Sequence, residues 1–333
     1  MSNKLRIGAI GCSNIAKSSV LPAINESKNS ELVFVGSRSY KKAKTFASAF
    51  DCKNFGNYEE VLENPNVDSV YISLPVGLHE EWAIKAAKAG KHVICEKSVS
   101  GSLNSTKKIV EQCKKNNVRI MEGLMFRFHP QIKYVLKQIK KKSLQNIYSF
   151  AGFYGFPNIS KNDIRFKKEL GGGILNDAGC YPICASRIIF DEEPISVLCK
   201  MNIDQKSQVD IQTSLFLEFS NSKITHISVG YDLSYLGTYE IWSQNASIKL
   251  WRAFNIPPNE NAKITITKKM QTKNIEIPAA NHFKIMIQAF SSEILNIKKT
   301  DFDWEKDIIN QAKILEAARK SFQLNKIIKI NKF

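Results

Sequence analysis

An acid and a phenol four residues apart, Asp177 and Tyr181, follow a triple glycine in the run Gly171-Gly172-Gly173-Ile-Leu-Asn-Asp177-Ala-Gly-Cys-Tyr181-Pro182. On a helix that spacing sets both side chains on one face, a turn apart. Glycines just ahead of them let the backbone approach a ligand or cross the mouth of a cleft. A carboxylate beside a proton-donating phenol at a helix start suits proton transfer. The same spacing also occurs where an acid and a tyrosine merely decorate a helix, so the rest of the chain has to decide.

Four further motifs bear on that decision. Gly8-Ala-Ile-Gly11-Cys12-Ser13-Asn14-Ile15-Ala16 joins an apolar run to a helical pattern, where a dinucleotide pyrophosphate meets helix N–H groups. The glycine fingerprint is degenerate: Ser13 stands at its second glycine and Ala16 at its third. A structural turn with no ligand is the competing reading. After the second apolar run comes Gly36-Ser37-Arg38-Ser39, where an NAD site carries an acid for the ribose 2′-hydroxyl. A hydroxyl beside a guanidinium fork suits a 2′-phosphate instead, which favours NADP(H) over NAD(H) against the alternative of a solvated arginine.

The other two motifs, Leu74-Pro75-Val76-Gly77-Leu78-His79 and Glu96-Lys97-Ser98, end the third and fourth apolar runs. Loops at the carboxyl ends of parallel strands are where ligands bind. His79 either meets the cofactor or caps the helix after it. Lys97 either donates a hydrogen bond in the crevice or is one more surface lysine. The cofactor candidates are therefore Gly11, Cys12, Ser13, Asn14, Ile15, Ser37, Arg38, Leu74, Pro75, His79, Glu96 and Lys97.

These residues need elements to hold them. Up to residue 121 the chain alternates short β-branched runs with helical patterns. Strands are expected at 5–10, 31–36, 69–73, 92–95 and 118–121, and helices from about 14 and at 40–50, 80–89 and 104–116. That alternation predicts a parallel doubly wound α/β sheet, a Rossmann domain over residues 1–124. Beyond Pro130 the pattern changes. Val209, Ile211, Thr213, Leu215, Leu217 and Phe219 alternate strictly with other residues, as in a strand with one face on a core. Further strands are expected near 145–155, 195–203, 223–231, 236–243 and 262–277, with helices after 281 and 304. Residues 125–333 then form an α+β domain on an open, largely antiparallel sheet, whose second face makes a homodimer or homotetramer plausible.

Composition narrows the function classes. No window approaches a membrane span of roughly 18 apolar residues. The start leads directly into a strand pattern without a signal peptide, and none of the seven cysteines forms a C-x-x-C pair, so a reducing cytoplasm is expected. The net charge of +17 invites nucleic acid, but the lysines are spread along the chain; even the densest run, residues 137–142, falls near a helix end. No nucleic-acid partner is expected, and attraction of phosphorylated small molecules is favoured over it. Cys180 and Cys184 share a helix face without a completing His or Cys, so packing rather than metal is expected. Phe153, Tyr154, Phe156 and Trp242 either line a sugar face or join a core.

Taken in order, these motifs resemble the Gfo/Idh/MocA oxidoreductase family over nearly the whole chain, together with Met125-Phe-Arg127-Phe-His129-Pro130 and Asn162-Asp-Ile-Arg165. The resemblance implies an N-terminal Rossmann domain and a C-terminal domain whose open sheet serves oligomerisation. It makes Lys97 the lysine of the family's Glu-Lys-Pro motif, with Ser98 in the proline's place, and Asp177 the acid of the later motif. Tyr181 stands where members carry a proton-transferring histidine or tyrosine. Val76-Gly77 departs from the more usual Asn-Ser. The tyrosine version is similar to glucose–fructose oxidoreductase, xylose and dihydrodiol dehydrogenases and nucleotide-sugar ketoreductases.

The expected reaction is hydride transfer between a nicotinamide and a hydroxyl or ketone carbon of a sugar, polyol or nucleotide-linked sugar. Lys97, Tyr181 and Asp177 are the catalytic candidates, and Arg165 joins them at the substrate. An ordinary phenol near pKa 10 suits neutral pH poorly, and Lys97 is expected to lower it. A non-catalytic NAD(P)-binding sensor of the same fold is the alternative.

Overall fold

The computed structural model describes residues 4–141, 144–157, 159–298 and 302–332. Contacts group them into two units, Met1–Leu124 with His282–Ile309, and Met125–Asn281 with Asn310–Phe333. The segment 282–309, assigned from sequence to the second domain, therefore groups with the first.

In the first unit six strands, β1 (Leu5–Ile10), β2 (Ser30–Gly36), β3 (Asn54–Gly56), β4 (Ser69–Ile72), β5 (His92–Cys95) and β6 (Ile120–Glu122), form one parallel sheet in the order β3-β2-β1-β4-β5-β6. The crossovers are α1 (Leu21–Glu26), α2 (Tyr40–Ala49), α3 (Tyr58–Glu63), α4 (His79–Lys88) and α5 (Leu103–Lys115). Helices on both faces explain why all four residues of β4 are buried and the strand reads as a continuous apolar run. The strand order reverses between β1 and β4, and that switch point opens the ligand crevice at the carboxyl ends. Gly90, at φ +71°, follows the end of α4 in the left-handed region, as its glycine predicts.

β3 and α3 escape the sequence reading. Three residues are too few to show alternation, and α3 is a six-residue helix. Its signal is the capping box: the Asn57 side chain accepts from the Glu60 N–H at 2.9 Å, and the Glu60 carboxylate accepts from the Asn57 N–H at 2.7 Å.

The second unit opens with α6 (Pro130–Lys140); Lys142 of the basic run lies outside the described residues. β7 (Ile147–Phe156), α7 (Cys180–Phe190), β8 (Ser196–Ile203), β9 (Asp210–Glu218), β10 (Ile224–Tyr231), β11 (Leu236–Ser243), β12 (Ser247–Leu250), β13 (Ala262–Lys268) and β14 (Gln271–Ile277) follow. α8 (His282–Ile294) and the start of α9 (Trp304–Leu324) belong to the first unit, and the rest of α9 and β15 (Ile328–Lys329) to the second. The nine strands run β14-β13-β12-β11-β7-β10-β9-β8-β15, antiparallel except for the parallel β7–β10 pair. The region expected as strand near 262–277 is a hairpin. Lys269 and Met270 turn it with φ of +48° and +64°, a two-residue turn built without the glycine or asparagine that advertises one.

Alternation divides this sheet's faces. Thr213, Leu215 and Leu217 are buried along β9, whereas Ser214, Phe216 and Glu218 are exposed. Phe150 and Tyr239 stack across β7 and β11 in the core with centroids 4.9 Å apart, while Trp242 and Tyr148 pair on the open face.

The returning segment is anchored to the first unit by charge. Arg119, just before β6, grips Glu305 through two hydrogen bonds of 2.8 and 3.1 Å and also donates to Glu293, whose other oxygen accepts from the Trp304 indole at 2.7 Å. Both carboxylates are buried, so the guanidinium compensates two charges at once.

Candidate active site

In the first unit the Gly11 turn leaves β1 at φ +106°. Gly11 donates to the Gly36 carbonyl at 3.0 Å and its own carbonyl accepts from Ser73 Oγ at 3.0 Å. A Cβ there would lie 2.9 Å from Ser73 Oγ and 3.0 Å from Leu74 Cδ2, so both the dihedral and the crowding require glycine. Ser13, at the second fingerprint glycine, is the helix cap: its Oγ accepts from the Ala16 N–H at 3.1 Å. The helix runs on through a π-turn, Ala16–Val20, before α1. The N–H groups of Cys12 and Ser13 meet no acceptor among the described residues, the arrangement that receives a phosphate.

At the end of β2, Ser37 is buried and Arg38 exposed. Ser37 Oγ accepts from the Ser39 N–H at 3.3 Å, and Ser39 caps α2 through the Lys42 N–H at 3.3 Å. Burial pushes the Tyr58 phenol up, and the Arg38 charge beside it offsets part of that rise. Burial likewise raises the Cys12 thiol, with an opposing hydrogen bond from Ser37. Ser37 and Arg38 thus present a hydroxyl and a guanidinium, a donor set that fits a 2′-phosphate.

The loop after β4 turns through Val76–Leu78 into α4, whose first residue, His79, is wholly buried. Its Nδ1 lies 2.9 Å from the Ser98 carbonyl oxygen and its Nε2 2.8 Å from that of Leu74. The ring braces the loops after β4 and β5 against each other, and no side chain caps α4. Burial is the largest influence on the His79 pKa and holds it below its ordinary value, while the backbone carbonyls of Leu74 and Ser98 work in the opposite direction.

Lys97, half-buried, stands in the second of those loops, and the Lys97–Ser98 peptide is cis. Glu96 accepts from the Tyr71 hydroxyl at 2.8 Å, and the Val99 N–H donates to Glu122 Oε1 at 3.0 Å. Tyr71 and Glu122 go unnoticed in the sequence because they sit inside strands. A glutamate ending the apolar run Ile120-Met121-Glu122 was the available signal, since a buried carboxylate needs donors.

In the second unit, the four-residue step from Asp177 to Tyr181 spans a junction. Leu175–Gly179 is a π-turn and α7 starts at Cys180, so the 3.6-residue period that predicts a shared face does not hold there. Asp177 Oδ2 accepts from Arg165 Nε at 2.7 Å and from the Tyr231 hydroxyl at 3.4 Å. Arg165 also donates to Asp163 at 3.1 Å, so this expected substrate ligand is engaged by two carboxylates of its own unit. Burial works against the Arg165 charge, but Asp177 and Asp163 outweigh it and raise its pKa. Burial, then the Asp177 charge, pushes the Tyr231 phenol far up, which keeps it a donor to Asp177.

Tyr181 is 6% exposed, and its ring lies 5.3 Å from Tyr154 at 89°, and 5.8 Å from both Phe126 and Phe254. Its hydroxyl donates to Met125 Sδ at 3.7 Å. Of the aromatics left open by sequence, Tyr154 joins this box, whereas Phe153 and Trp242 are exposed. Cys180 and Cys184 are buried and outside any disulfide.

The comparisons with known proteins fall on these same stretches. The family described as oxidoreductase family, NAD-binding Rossmann fold (GFO/IDH/MocA) matches residues 5–124, and the GFO/IDH/MocA C-terminal domain matches residues 132–249. The chain is 32% identical to a dTDP-3,4-didehydro-2,6-dideoxy-α-D-glucose 3-reductase of Saccharopolyspora spinosa, over 95% of this chain and 97% of that protein. It is 27% identical to a D-xylose 1-dehydrogenase (NADP+) of Haloferax volcanii, over 87% and 89%. Among solved structures it is similar to the 3-ketoreductase KijD10 of Actinomadura kijaniata in complex with NADP and TDP-benzene, with a TM-score of 0.92 and 28% identity over 96% of this chain and 98% of that one.

Proposed function

The chain belongs to the Gfo/Idh/MocA oxidoreductase family, and from that premise we propose that it is an NADP-dependent enzyme exchanging hydride with a hydroxyl or keto carbon of a sugar. The observation that carries this reading is Tyr181, fixed by three rings four residues after an Asp177 that is itself held by Arg165. When bound, the cofactor supplies or accepts the hydride at its nicotinamide. Cys12 and Ser13 N–H groups hold the pyrophosphate, and Ser37 and Arg38 the 2′-phosphate. The Tyr181 hydroxyl protonates the alkoxide that forms in reduction, or takes the hydroxyl proton in oxidation. Lys97 stabilises the oxyanion as a fixed cation, and Asp177 accepts a hydrogen bond from a substrate hydroxyl.

More finely, the substrate is a nucleotide-linked keto-sugar. The reductase at 32% identity supports this, as does a net charge of +17 that suits an anionic diphosphate. The exposed sheet face bearing Phe153, Phe216 and Trp242 supports self-association. Seven buried cysteines, none in a disulfide, fit a reducing cytoplasm, and no described helix is long and apolar enough to cross a membrane.

The test is a panel of dTDP-linked keto-sugars, free sugars and polyols, each with NADPH and NADP+, followed at 340 nm. Turnover of a nucleotide-linked keto-sugar well above that of free sugars supports the finer reading. NADPH binding with no turnover across the panel sinks the enzymatic one and leaves the sensor.

A further inference from the structure

β9 begins with a carboxylate that the interior has no need of unless something there must be held. Asp210 Oδ2 accepts from the Leu175 backbone N–H at 2.7 Å and from Thr213 Oγ1 at 2.9 Å. The turn Leu175–Gly179 has no capping side chain at its own start, where Ile174 stands. Asp210, 35 residues away in sequence, supplies the cap from outside. Its charge suits the positive end of a helix.

The turn is shaped to receive it. Gly173 has φ +114°, and a Cβ there would lie 2.0 Å from Asp210 Oδ1, so the carboxylate occupies the space a side chain would fill. From α9, Arg319 donates to Asn176 Oδ1, and Asn176 Nδ2 donates to the Gly171 carbonyl at 3.1 Å. Burial disfavours the Asp210 charge, and the Arg319 cation is among the groups that favour it.

We propose that Asp210 is a positioning residue of the reaction, fixing the turn that aims Asp177 and Tyr181. This rests on the reading of those two residues as the catalytic pair. Asp177 lies two residues after the anchored Leu175 and Tyr181 six after it, so a pivot of the first turn displaces both. A misplacement of about 1 Å costs a reaction roughly 100-fold.

The test compares Asp210→Ala, Asp210→Asn and Thr213→Val with the wild type. Asp210→Ala is expected to lower kcat roughly 100-fold, with NADPH affinity and far-UV circular dichroism unchanged. Asp210→Asn, whose amide oxygen still accepts from Leu175, recovers most of that loss. A merely structural role would lower the folded fraction and NADPH binding together and leave kcat per folded molecule intact; that result overturns the proposal. If Asp210→Ala does not fold, Thr213→Val decides: it removes the bond that steadies the Asp210 carboxylate and should lower kcat, and a wild-type kcat there is equally fatal. Tyr181→Phe separates the two readings: unaffected turnover there counts against the catalytic pair, whereas Tyr181 dependence with an indifferent Asp210→Ala counts against Asp210 alone. Hydrogen exchange over residues 175–181 reads the turn without substrate, and unaltered protection in Asp210→Ala refutes the anchoring.

Discussion

Tyr181→Phe tests the proposed chemistry with little disturbance of the fold. The ring is held by Phe126, Tyr154 and Phe254 at 5.3 to 5.8 Å, and phenylalanine keeps each of those contacts. What is lost is one hydroxyl, whose 3.7 Å bond to Met125 Sδ is long and has a weak acceptor. A typical hydrogen bond contributes about 1 kcal/mol, so the melting temperature should fall by no more than about 2–4 °C. Removing the proton donor is a different matter: general acid catalysis contributes about 10²–10⁴-fold, or about 2.7–5.5 kcal/mol of barrier. The variant should therefore lose most of its kcat at 340 nm while binding NADPH as before by fluorescence titration. A kcat within about tenfold of wild type, or a loss of NADPH binding in proportion to activity, would refute the assignment.

Three further outcomes follow from the geometry. His129 is wholly buried, and burial holds its pKa down at about 4. The unfolded chain then takes the extra proton, so this stability is full above pH 6.5 and is lost as pH falls toward 4, by at most about 3 kcal/mol. His129→Asn, which keeps a cap for α6, should flatten the fall in urea midpoint over that window; an identical pH profile counts against it. Arg119→Ala strands two buried carboxylates and should cost about 3 kcal/mol in urea unfolding, the low end of the range because the guanidinium is 35% exposed; a cost below about 1 kcal/mol would place the pair among ordinary surface bridges. Trp242, 62% exposed on the open sheet face, should on replacement by Glu shift gel filtration toward a smaller species, and an unchanged elution would remove that face as the contact.

Much of the site is legible in the residue order. Gly11 needs a positive φ, Ser13 caps a helix, and Ser37-Arg38 ends a strand, all properties of a few neighbouring residues. The same holds for the doubly wound sheet, because strands buried on both faces must be apolar throughout. Where periodicity is the only guide, a local irregularity defeats it. The π-turn Leu175–Gly179 changes the spacing under Asp177, and the Lys269-Met270 turn divides one apparent strand into a hairpin.

Side-chain partners are what the tertiary structure decided. The residue order offered Arg165 to a substrate, and the fold turns it onto Asp177, twelve positions away. His79 was read as a cofactor contact or a cap, and it joins the carbonyls of Leu74 and Ser98. Asp210 drew no attention among thirty-one acidic residues until the fold set it against Leu175. Backbone conformation follows from neighbours along the chain, which a sequence displays. A buried polar group takes whichever partner folding brings within 3 Å, because leaving it unpaired costs about 1–3 kcal/mol. The run from Gly171 to Pro182 thus announces an acid and a phenol by itself, and the network beneath it decides where they point.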